Sequence, residues 1–153
     1  MADYGNLWDD YSIVFNSKLV DSGGDWSRLD EDEQEIAALW KLYVDINNGG
    51  FIQFFCNWGF QCLCYAMRGL KRIEDTSLYD LLDDTYCNVL DKFKNDTRLT
   101  AYWDIPEYLT DEDMERLDAA DTQFYETECE HFTKMAYEYY RQTLKKMVTP
   151  VNG

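Results

Sequence analysis

Asp30-Glu31-Asp32-Glu33-Gln34-Glu35-Ile36-Ala37-Ala38-Leu39-Trp40-Lys41-Leu42-Tyr43-Val44-Asp45-Ile46-Asn47-Asn48-Gly49-Gly50 is the stretch that decides the fold class. Ile36, Leu39, Trp40, Tyr43 and Val44 recur at the spacing of an α-helix with one apolar face. Asp30, with Glu33 three residues on, forms a capping-box pattern at its start. The acidic run Asp30 to Glu33 fills the first turn, where exposed backbone N–H groups favour negative charge. Asn47-Asn48-Gly49-Gly50 ends the helix, because Asn and Gly tolerate the left-handed conformation of a C-terminal cap.

The same period runs outward in both directions. Upstream, Tyr11, Val14, Phe15 and Leu19 predict a helix from about Asn6 to Val20, stopped by Ser22-Gly23-Gly24. Downstream, Phe51 to Cys56 and Phe60 to Leu70 read as two short helices separated by Asn57-Trp58-Gly59. Both are apolar on most sides, which places them at the buried centre. Thr76 or Ser77 opens a helix that reaches Phe93 and stops at Lys94-Asn95-Asp96-Thr97. After a connector holding Tyr102, Trp103 and Pro106, Thr110 caps a helix carrying Met114, Leu117, Ala120 and Phe124. A last helix spans about Thr127 to Met147, with Phe132, Met135, Ala136, Tyr139 and Tyr140 inward. No run alternates apolar and polar residues as a strand would. The expectation is an all-α, single-domain bundle of six to seven helices over residues 1–153.

Charge narrows the function classes. Thirty Asp and Glu face 14 Lys and Arg, a net charge of −16, while hydrophobic residues still make up 46% of the chain. A folded core carrying that much negative charge is repelled by nucleic acid and by anionic lipid. Neither a secretory leader nor a membrane-spanning stretch is readable, so a cytoplasmic chain contacting neither nucleic acid nor membrane is expected. Five cysteines without a disulfide-like spacing suit reduced thiols.

The sites that chemistry would need are missing. Cys62-x-Cys64 and Cys129-x-His131 hold soft ligands at a spacing unusual for zinc, and helix positions two apart point in different directions. His131 is the only histidine, and no nucleophile-bearing turn accompanies it. Gly49-Gly50 lacks the Gly-Lys-Ser/Thr ending of a phosphate loop. No catalytic residue, metal or cofactor is therefore expected.

Carboxylate density remains. Asp111, Glu112, Asp113, Glu115, Asp118 and Asp121 fall within ten helical steps, opposed only by Arg116. Ten steps rise about 15 Å, so the series carries roughly one negative charge per 2.5 Å. Duplex DNA carries one per about 1.7 Å of axis, a comparable density. Asp30, Glu31, Asp32, Glu33 and Glu35 form a second dense block, and Asp9-Asp10 and Asp83-Asp84 two smaller ones. The expected partner-binding residues are Asp9, Asp10 and the acids of the two dense blocks. A solvated helix face that serves only solubility is the competing reading.

Tyr43-Val44-Asp45-Ile46-Asn47-Asn48-Gly49-Gly50-Phe51-Ile52-Gln53-Phe54-Phe55-Cys56-Asn57-Trp58-Gly59 resembles the signature of a bacterial family with an Asn-Asn-Gly-Gly-Phe domain. Leu117-Asp118 followed by Phe124-Tyr125 is similar to that family's later Leu-Asp…Phe-Tyr segment, at a longer spacing. The well-understood type of the family is a DNA mimic. The resemblance implies an α-helical bundle and a homodimer. It also implies a partner that is a basic DNA-binding protein, a helix-turn-helix transcription factor kept from its operator. Asn47, Asn48, Gly49, Gly50, Phe51 and Gln53 read as a structural cap and core clamp rather than as the mimic surface. An acidic immunity or antitoxin-type inhibitor of a basic toxin or nuclease would use the same surface and stays open, as does an enzyme with a carboxylate site.

Overall fold

The computed structural model describes residues 2–148. Five α-helices build it: α1 (Tyr4–Asp21), α2 (Glu31–Arg72), α3 (Thr76–Thr85), α4 (Asp111–Gln123) and α5 (Cys129–Val148). No strand occurs among the described residues. The count is five rather than six to seven, because the three pieces expected between Asp30 and Leu70 run on as α2. Their breaks fall at Gly50 (φ 85°, ψ −180°) and Gly59 (φ 69°, ψ −159°). A single glycine in a region open essentially to Gly alone turns the chain without needing a loop. Likewise α3 passes through a π-turn at Tyr86–Leu90 and a 3-10 turn at Asp91–Phe93, and α4 reaches α5 through a π-turn at Phe124–Glu128.

Side chains set the helix starts. The Asp30 carboxylate accepts the Glu33 N–H at 2.9 Å, and the Glu33 carboxylate accepts the Asp30 N–H at 2.9 Å. Thr110 and Asp113 repeat that reciprocal arrangement at 3.0 and 2.9 Å. α3 opens at Thr76, as expected, and Asp75 caps it by accepting the Leu78 N–H at 3.1 Å.

α2 is the central element and packs against the other four helices. Its Ile36, Leu39, Leu42, Ile46, Phe51, Phe54 and Phe55 are buried. Around them close Trp8 and Phe15 of α1, Leu78 and Leu82 of α3, Leu117 of α4, and Phe132 and Tyr140 of α5. Burial of this apolar area is the main term holding the bundle together. Three residues expected on the apolar faces lie at their margins instead: Val14, Met114 and Tyr139 are 53%, 52% and 47% exposed. The buried stripes run through Phe15, Leu117 and Tyr140 beside them.

Candidate partner-binding surface

The Gly50 break frees backbone groups that a continuous helix would pair, and α4 supplies their partners. Asp121 Oδ1 accepts the Phe51 N–H at 2.9 Å. The Tyr125 hydroxyl, one helical turn further on, donates to the Ile46 carbonyl at 2.5 Å. Asn47 Nδ2 donates to the Tyr43 carbonyl at 2.8 Å, and Asn48 Nδ2 to Gln53 Oε1 at 3.1 Å. A Cβ on Gly49 would collide with the Gln53 side chain, and one on Gly50 with the Asp121 carboxylate. The Asn-Asn-Gly-Gly-Phe segment is thus a joint that α4 locks from outside.

Behind the joint lies a polar cluster that periodicity does not reveal. Asp45 is buried and accepts from Gln53 Nε2 at 3.2 Å, Asn57 Nδ2 at 3.2 Å and Trp58 Nε1 at 2.7 Å. Lys41, 2% exposed, donates to Asn16 and stands 3.4 Å from the centroid of the Trp58 ring. Burial pushes its amine below the usual lysine range, against the pull of Cys62 and Asp45. The one available signal was Lys41 itself, a charge set among residues that read as core.

Two of the five acids of the first dense block, Glu33 and Glu35, are buried, Asp32 is half-buried, and Asp30 and Glu31 are exposed. Glu35 is fully buried, contacted by Arg68 Nε at 2.6 Å, Arg72 Nε at 3.1 Å and the Tyr140 hydroxyl at 2.7 Å. Burial, then Glu35, pushes the Tyr140 phenol well up. Glu33 is buried and meets Lys18 at 2.5 Å. Asp32 meets Arg72 Nη1 at 2.7 Å, and Glu31 also pairs with Arg72. Asp30 is the helix cap. Glu31, Asp32 and Glu35 thereby join the first turn of α2 to its last, and Glu33 ties that turn to α1. Asp9 is half-buried and accepts Trp40 Nε1 at 2.8 Å, while its neighbour Asp10 is exposed.

The second block divides. Asp113 is buried, closes the α4 cap and meets Lys92 at 2.6 Å. Asp121 serves the Gly50 joint. Asp111, Glu112, Glu115 and Asp118 face solvent along α4, with Arg116 reaching Glu112 at 3.2 Å.

α3 lies beside α4 and adds the Asp83-Asp84 pair. A hollow of about 290 Å³ lies between the two helices, lined by Leu81, Val89, Ala119 and Ala120 together with Asp84 and Arg116. The Cys87 thiol is pushed up by burial and then by Asp83, Asp91 and Asp84, which marks the carboxylate density on this side. Tertiary packing therefore sets α3, which carries Asp83-Asp84, beside α4, with Asp84 and Arg116 lining the hollow between them. The Asp9-Asp10 pair sits on α1, which packs on α2 and α5.

Cys62 is buried whereas Cys64 is exposed, and His131 lies exposed on α5. Among the described residues no group of three or more His, Cys, Asp or Glu is arranged to hold a metal ion. No helix there is long and apolar enough to cross a membrane.

A family model described as DMP19-like protein matches residues 27–143, which include both the Gly50 joint and the α4 residues that lock it. No curated protein and no solved structure matches the chain. Since the family model covers well over half of its length, the chain belongs to the DMP19-like protein family.

Proposed function

We propose that this chain is a DNA mimic that occupies the DNA-binding surface of a helix-turn-helix transcription regulator and keeps it from its operator. Family membership supports the mimic class. The observation that carries the reading is the outward row Asp111, Glu112, Glu115 and Asp118 on α4 with Asp83-Asp84 on the adjacent helix. Asp84 lines the shallow groove between the two helices, and the four exposed acids of α4 stand outside its lining. The partner's Lys and Arg would pair with them, and occupancy rather than chemistry would release the operator. Charge complementarity of this kind speeds association and weakens it in salt. A homodimer would present two such faces to a two-fold regulator.

The test is displacement of a labelled operator duplex from purified helix-turn-helix regulators of the source organism. The wild-type chain should release one of them in proportion to its concentration. A variant carrying Asp111→Asn, Glu112→Gln, Glu115→Gln and Asp118→Asn should fail while keeping its helical circular dichroism. Arg116→Gln should release the operator at lower concentration, since it removes the cation that α4 carries among its exposed acids. Equal displacement by the neutralised variant would refute the role of α4. Inhibition of a basic nuclease without any operator release would replace the regulator with a toxin-type partner.

A further inference from the structure

α2 and α3 meet at a tight elbow. Glu74 takes φ 62°, the left-handed conformation that a residue other than glycine rarely adopts, and the Asp75 N–H reaches back to the Leu70 carbonyl at 3.0 Å. Asp75 Oδ1 then caps α3 through the Leu78 N–H at 3.1 Å. Its other oxygen is enclosed. Asp75 is 1% exposed, and Oδ2 is buried without a hydrogen-bond partner among the described residues. Two residues on, the Ser77 hydroxyl donates to Glu128 Oε1 at 2.7 Å, tying the first turn of α3 to the π-turn that leads into α5. Glu128 is 4% exposed, and Gln123 Nε2 and the Thr127 hydroxyl reach the same oxygen at 3.5 and 3.4 Å. The charged groups that act on Asp75 from the neighbouring elements are Glu128 and, on α5, the exposed His131. Neither carboxylate has a lysine or arginine partner among the described residues.

We propose that Asp75 and Glu128 form a proton-operated latch between the start of α3 and the start of α5, closed when Asp75 holds a proton and loosened when it is charged. Two carboxylates buried at one helix junction without a cation cannot both be charged without a large penalty. A proton on Asp75 Oδ2 removes one of the charges and turns an enclosed acceptor into a donor. Burial holds the Asp75 carboxyl above its usual range; the Leu78 N–H and His131 oppose that rise, and Glu128 adds to it. The latch therefore contributes fully below the unfolded value of about 4, and its contribution is lost as pH rises through the folded one. α3 carries Asp83-Asp84 and packs on α4, so the proton governs the seating of a helix on the acidic side of the molecule.

No partner is needed to test the latch, so its outcome is separate from the fate of the mimic reading. Carbon-13 NMR of the Asp75 carboxyl in the full chain should give a titration midpoint above the usual aspartate value of about 3.9. Glu128→Gln keeps an acceptor for Ser77 but removes the charge, and should move that midpoint down. Amide exchange of residues 76–85, corrected for the intrinsic pH dependence of exchange, should show opening that rises several-fold from about pH 4 to about pH 7. Asp75→Asn keeps the cap acceptor and places an amide where the protonated carboxyl stood, and should flatten that rise. The two wild-type readouts decide the matter even if a variant folds poorly. A midpoint at or below the ordinary value would overturn the latch, as would α3 exchange that does not change with pH. A midpoint unmoved by Glu128→Gln, or an Asp75→Asn chain that keeps the wild-type pH dependence, would overturn it as well.

Discussion

Asp121 on α4 holds the backbone N–H of Phe51 on α2 at 2.9 Å, and the carboxylate occupies the space that a side chain at residue 50 would need. One hydrogen bond thereby closes a broken helix and sets how the acidic helix lies against the core. The consequence is that α4 cannot shift without reopening the joint. The acids it displays are fixed in space by one of their own number.

Gly50→Ala should destabilise the fold by about 2 kcal/mol or more, because Ala must adopt a positive φ and displace Asp121. Asp121→Ala should lose about 1–3 kcal/mol by leaving the Phe51 N–H without a partner. Asp121→Asn keeps an acceptor. Burial raises the Asp121 pKa, the Phe51 N–H lowers it and Asp118 raises it, with a net upward shift. A raised carboxyl stabilises the fold most below its unfolded value, and that benefit is lost as pH rises through the folded value. Asp121→Asn should therefore gain relative to wild type as pH rises from 4 to 7, roughly the carboxylate range. Urea titrations at both ends of this window measure it, and a relative loss on going to pH 7 would contradict the assignment.

Glu35 predicts a different phenotype. It is a fully buried carboxylate that joins Arg68 and Arg72 to the Tyr140 hydroxyl. Removing one member of such a buried network leaves its partners unpaired, typically at a cost of about 3–5 kcal/mol. Glu35→Ala should lower the urea midpoint by a corresponding amount. Folded Glu35→Ala protein should still displace the operator like wild type, which separates this acid from the exposed row.

Asp113 and Glu115 stand two residues apart on α4 and should behave oppositely. Asp113 is buried, which raises its pKa, but Lys92 and Thr110 outweigh burial and hold the carboxyl below its usual value. Its contribution is present above the unfolded value of about 4 and is lost as pH falls through the folded one. Asp113→Asn should cost about 1 kcal/mol at neutral pH, as a weakened helix cap does, and the difference should shrink on acidification. Glu115→Gln should change stability by less than about 0.5 kcal/mol, as exposed substitutions do. Its effect should appear in the salt dependence of partner capture. Thermal unfolding of both variants at acid and neutral pH checks the contrast.

Helices, caps and the two interruptions of α2 were legible in the residue order, because they depend on neighbours within a few positions. Ile36, Leu39 and Trp40 repeat with the helical period, Asp30 and Glu33 complete each other's hydrogen bonds, and Gly50 permits a backbone angle closed to other residues. Which acids remain available was not legible. Glu33, Glu35, Asp113 and Asp121 look identical to Glu112 and Asp118 in a charge count, yet Lys18, Arg68, Arg72, Lys92 and the Phe51 amide engage the first four. Those partners lie 15 to 70 residues away in the chain. Local order settles what each helix is. Only packing brings a distant donor to a given carboxylate, and so decides whether its charge is spent inside the molecule or offered to another.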